Sequence, residues 1–124
     1  MHGSHRTAIA FALGRIAFGA GLIVAPHKVA SGWLGADAQR PPTQVAVRGL
    51  GARDVALAAG VVLAARDGAA LRPWLVGCLV CDLADIASTL AAGSALPARA
   101  RWGTVALAGS AAIAGAALTA RVEQ

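Results

Sequence analysis

The chain has 124 residues, of which 57% are hydrophobic and only 14% charged, with a mean hydropathy of +0.64. This length suits one domain, and the apolar share exceeds the roughly 45–50% of soluble domains, which excludes an ordinary soluble surface and points to lipid. The formal charge of +5 comes from basic residues scattered singly over connections and ends, so no nucleic-acid patch is predicted and membrane lipid is the expected partner.

Four apolar stretches, 7–24, 45–65, 73–92 and 102–120, each approach the roughly 20 residues that cross a bilayer as a helix. The predicted fold is all-α: a single domain over residues 1–124, an integral membrane bundle of four transmembrane helices, multi-pass in the cell membrane. A soluble four-helix bundle is the alternative, but its helices need a broad polar face that these lack.

The first stretch is interrupted by Arg15 and has no charged leader region before it, so it is expected to be retained rather than cleaved. His2 and His5 precede it in what reads as a solvated terminal tail. After it, "PHKVASGWLG" groups Val29, Trp33 and Leu34 in a short amphipathic segment. This predicts a short interfacial helix lying along the membrane, with Gly35 as its stop. Pro26, Pro41, Pro42, Pro73 and Pro97 fall near span ends, and so do Trp33, Trp74 and Trp102, at the level aromatic rings prefer.

The second stretch contains "RGLGARDVAL". Its eight Leu, Ile, Val and Phe residues favour insertion by roughly 4 kcal/mol, against a cost of roughly 6 kcal/mol for Arg53 and Asp54. The third stretch has the same difficulty with Asp82 and Asp85. Counting about 1.5 Å per residue from the side of the termini puts Arg15 and Asp82 at roughly 12–14 Å, and Arg53, Asp54 and Asp85 at roughly 16–18 Å. All five fall in one central slab, which predicts a buried ionic cluster of Arg15, Arg53, Asp54, Asp82 and Asp85. Arg48 is nearer the opposite surface, within reach of headgroups or of Asp85; counting it, three positive charges meet three negative ones.

Helical spacing gives the third stretch an inward stripe of Leu75, Cys78, Cys81, Asp82, Asp85 and Thr89. Val76, Leu79, Val80, Leu83, Ile86 and Leu90 form its lipid face. Arg15 shares a stripe with Ala12 and Gly19, and Arg53 with Gly49, Ala56 and Gly60. Small residues let helices approach closely, so both stripes read as packing seams. The fourth stretch, "WGTVALAGSAAIAGAALTA", is uncharged and built from small residues, for packing inside the bundle or against a partner protein or second copy.

Cys78 and Cys81 form a C-x-x-C beside a carboxylate, a possible redox pair, though inside an apolar helix cysteine also serves as a small hydrophobe. No metal site is expected, since no histidine lies in any span. Glycine loops for phosphate and nucleophile-elbow spacings are absent from the sequence. Orientation is not assigned: Arg6, Arg66, Arg72 and Arg121 on one side balance Lys28, Arg40, Arg99 and Arg101 on the other.

Three segments, "GRIAFGAGLIVAPHKVASGWLG", "RGLGARDVALAAG" and "CDLADIASTLAAG", give the chain its likeness to a known group. It resembles the DoxX-like small four-helix membrane proteins, in particular an uncharacterised branch common in high-GC bacteria. The resemblance implies the four-helix architecture, and some such proteins are associated with thiosulfate or quinone oxidation and thiol stress. The functional expectation is a noncatalytic accessory or assembly subunit without a cofactor, bound to a partner membrane protein or to copies of itself. The alternatives are proton-coupled transport of a small solute, and thiol or quinone redox chemistry with quinone as cofactor.

Overall fold

The computed structural model describes residues 2–122, all of whose regular structure is helical. Helix α1 spans His2–Val24, α2 Pro26–Leu34, α3 Pro41–Asp67, α4 Arg72–Ala92 and α5 Ala98–Val122; a 3-10 segment, Gly35–Gln39, joins α2 to α3. The proline positions explain most of these starts. Pro26, Pro41 and Pro73 stand in the first turns of α2, α3 and α4, where a helix has no use for their missing N–H.

Three of the ends follow from glycine, that of α4 at Gly93, φ +53°, with its N–H donated to the Thr89 carbonyl. Gly35 closes α2 at φ +65° with its N–H donated to the Ser31 carbonyl, as the sequence led one to expect. Gly68 closes α3 at φ +67°, and the next amide, that of Ala69, returns to the Ala64 carbonyl at 2.9 Å. A left-handed residue followed by this return bond satisfies orphan carbonyls that would otherwise end the helix unpaired.

The tail expected before residue 7 is instead the beginning of α1, because nothing in "HGSHRT" interrupts a helix and the Thr7 hydroxyl bonds back to the Gly3 carbonyl at 2.9 Å. By length and apolarity α1, α4 and α5 can cross a membrane. The fourth predicted span differs. At 27 residues α3 is long enough, but Arg48, Arg53, Asp54, Arg66 and Asp67 keep it out of that apolar class.

The long helices alternate in direction. Arg15 of α1 pairs with Asp54 of α3, Gly19 faces Gly51, and the Ile23 carbonyl meets Arg48, a register that only antiparallel helices produce. Packing is closest between α1 and α3 and between α4 and α5; α3 touches α4, and α1 touches α5. Around the bundle the order is therefore α1, α3, α4, α5, with α1 and α4 on a diagonal.

Close packing of α1 on α3 depends on two glycines. A Cβ at Gly19 would lie 2.6 Å from the Gly51 carbonyl oxygen, and one at Gly51 would lie 2.5 Å from that of Gly19. Backbone meets backbone, as in small-residue membrane interfaces. On α1 the seam is the expected one: Ala8, Ala12, Arg15, Gly19 and Leu22 are buried. On α3 it runs instead through Val47, Gly51, Asp54, Ala58 and Val61.

This corrects the Arg53 stripe. Gly49 has open space around it, Ala56 is exposed, and only Gly60 is covered, by the Trp74 ring of α4. The stripe was misplaced because α3 must bury Asp54 against α1, which turns Arg53 sideways toward α4. In α4 the predicted faces hold in part: Leu75, Cys78, Asp82 and Thr89 are buried and Val76, Val80, Leu83 and Leu90 lie on the exterior, whereas Cys81 and Asp85 of the inward stripe and Leu79 and Ile86 of the outward one are all half-buried.

Candidate functional site: an ionic cluster beneath a cavity

Five charged side chains from three helices meet near mid-length. Arg15 donates from Nη1 to Asp82 Oδ2 at 2.7 Å and from Nη2 to Asp54 Oδ1 at 2.9 Å. Arg53 makes a two-pronged bond to Asp85, Nη1 to Oδ1 at 3.1 Å and Nη2 to Oδ2 at 2.8 Å. Its Nη2 also stands 3.5 Å from Asp54 Oδ1, which joins the two pairs into one network. Arg15, Asp54, Asp82, Arg53 and Asp85, the five predicted residues, are thus brought together.

The network has an enclosed half and a half-open one. The side chains of Arg15, Asp54 and Asp82 are 9%, 8% and 6% exposed, against 32% and 29% for Arg53 and Asp85. Enclosure strengthens each Coulombic contact and makes each unpaired charge more costly. Arg15 further stacks its guanidinium 5.8 Å from the centroid of the Phe11 ring. The Nε atoms of both Arg15 and Arg53 are buried without a partner among the described residues, so their recognition of carboxylate runs entirely through the terminal nitrogens.

Arg48 stays outside. Its Nε donates to the Ile23 carbonyl at 3.2 Å, at the last turn of α1, and the side chain is exposed. The reach to Asp85, the alternative to headgroups in the sequence reading, is not made; Arg53 is the arginine that bonds that carboxylate. A helix C-terminus, with its unsatisfied carbonyls and negative dipole end, offers Arg48 a good alternative.

Beside the cluster lies a cavity of about 410 Å³ to which all five helices contribute. Phe11 and Phe18 of α1, Trp33 of α2 and Leu107 of α5 supply apolar wall, while Asp54, Asp82 and Asp85 supply the polar end. This volume is in the range of small-molecule pockets, roughly 300–1,000 Å³. Sequence reasoning found the carboxylates and missed the cavity, whose wall depends on where α2 lies.

Trp33 decides that placement. Its Nε1 donates to Thr104 Oγ1 at 2.9 Å and to the Ala100 carbonyl at 3.2 Å, and the ring lies beside Gly103. The indole therefore pins α2 onto α5, a role its position near a span end did not reveal. Trp74 and Trp102, by contrast, remain substantially exposed.

Cys78 is fully buried and Cys81 partly so, both as free thiols one turn apart on α4. Neither lines the cavity. His27 lies on the exposed side of α2, and His5 near the start of α1. No family model, curated protein or solved structure matches this chain.

Proposed function

We propose that the chain is a noncatalytic, multi-pass membrane protein of four spanning helices, an accessory or assembly subunit whose central charges key its helices together. The observation that supports this most directly is that Arg15 bonds two carboxylates on two other helices, so the charges are engaged with one another rather than with a reacting group. On this reading α3 is the fourth span, tolerated in lipid because Arg53 and Asp54 face partners inside the bundle. α2 then lies at the interface. Kinship with the DoxX-like proteins belongs to the same proposal.

An apolar exterior supports the assembly role. Leu83, Leu90, Leu107 and Ile113 are all more than half exposed, on faces that lipid or a neighbouring membrane protein would cover. Extraction in a mild detergent followed by native mass spectrometry tests it: a second copy or a defined membrane partner should be retained. A clean monomer with no retained protein would overturn the assembly reading.

The cavity favours a second reading, proton-coupled movement of a small solute past the carboxylates. Vesicles reconstituted with the protein should then show a flux that is lost in both Asp82→Asn and Asp85→Asn. A flux indifferent to both changes rules this path out.

A further inference from the structure

With Arg48 outside the cluster, two guanidinium groups face three carboxylates, leaving one negative charge in excess. An uncompensated charge enclosed in an apolar bundle is costly, so the excess calls for a positive occupant. The vacant acceptors are on the two most enclosed carboxylates. Asp82 bonds Arg15 through Oδ2 and Asp54 through Oδ1; Asp82 Oδ1 and Asp54 Oδ2 accept no hydrogen bond among the described residues. Both residues, more than nine-tenths buried, line the cavity.

We infer that this cavity binds one amphipathic organic amine in its ammonium form, with the N–H donors directed to Asp54 and Asp82 and the hydrocarbon body against Phe11, Phe18 and Leu107. A proton alone neutralises the excess charge, but it leaves the apolar walls without a partner. An ammonium group on a hydrophobic stem satisfies both, and the aromatic faces favour a nearby cation. The arginines lining the cavity do not reverse the preference. Arg15 has both terminal nitrogens engaged by carboxylates, and Arg99, in the first turn of α5, is exposed to solvent that screens it.

The test is calorimetric titration of the full chain in dodecyl maltoside micelles with 4-phenylbutylamine, 4-phenylbutanol and 4-phenylbutyrate, which share a body and differ in charge. The amine should bind saturably and at least about tenfold more tightly than either of the others, as expected for a charge-assisted hydrogen bond over a neutral one. Asp82→Asn should remove that advantage. Gly14→Leu tests the same idea without touching the cluster: Gly14 lines the cavity with nothing within 4 Å of a Cβ, so a leucine there fills the space and should abolish saturable binding. Equal binding of alcohol and amine, preference for the carboxylate, or undiminished amine binding in folded Gly14→Leu protein would each overturn the inference. None of these outcomes depends on whether a protein partner is found.

Discussion

Arg15 and Asp82 join two helices that stand diagonally across the bundle, through a bond of 2.7 Å that is almost wholly enclosed. Because the same guanidinium also holds Asp54, one side chain ties α1 to both α3 and α4. Replacing Arg15 with leucine strips Asp82 of its cation and leaves Asp54 only its 3.5 Å contact with Arg53. Loss of one partner of a buried pair costs about 3–5 kcal/mol, so Arg15→Leu should be the most destabilising single change in the cluster. Thermal melting in detergent checks this; a melting point within a degree or two of the parent would show that the network does not hold the bundle.

Arg53 and Asp85 should behave more mildly, since both are about one-third exposed. Their contact is a two-pronged fork, which lysine cannot reproduce. Arg53→Lys is expected to lower stability measurably, by about 1 kcal/mol, and in the Asp85→Asn background the same change should cost much less. Equal effects in the two backgrounds would mean the fork contributes nothing to stability.

Glycine at 19 and 51 is a steric requirement. A methyl group at either position runs into the backbone oxygen of the other, and neither helix backbone can yield locally. Gly19→Ala and Gly51→Ala should each cost about 1–3 kcal/mol by forcing α1 and α3 apart. Gly49→Ala, with open space around it, should be neutral or slightly stabilising through helix propensity. Melting curves of the three variants give the comparison, and a loss at Gly49 equal to that at Gly51 would contradict the assigned seam.

Trp33→Phe keeps an aromatic ring, though a smaller one, and removes the donor to Thr104 and Ala100. The loss should be about 1 kcal/mol, concentrated in α2. Hydrogen exchange measured by mass spectrometry should show faster exchange over Pro26–Leu34 with little change in α1 or α4. Uniform acceleration across all helices would indicate that Trp33 supports the whole bundle rather than the seating of α2.

Much of this architecture is legible one residue at a time. The inward stripe of α4 is visible because aspartates and threonine recur at helical intervals opposite valine and leucine. That the five charges meet is legible from their similar depth, since charges at one level of a single helical bundle can reach one another. Arg48 and the α3 seam were harder. Adjacent Arg53 and Asp54 point about 100° apart on a helix, and both are polar, so no hydropathy pattern tells which of them faces α1.

The sequence by itself determined that the chain is helical and apolar, where its prolines and glycines begin and end the helices, and that unpaired charges at mid-depth must find each other, because each of these is a local or one-dimensional constraint. Tertiary structure alone decided which arginine serves which carboxylate, that Arg48 turns to a helix end and leaves one negative charge in excess, and that α2, held by Trp33, closes over a cavity. Those outcomes depend on the rotation of each helix about its own axis, and that rotation is set only when glycine backbones meet and side chains compete for the same partner.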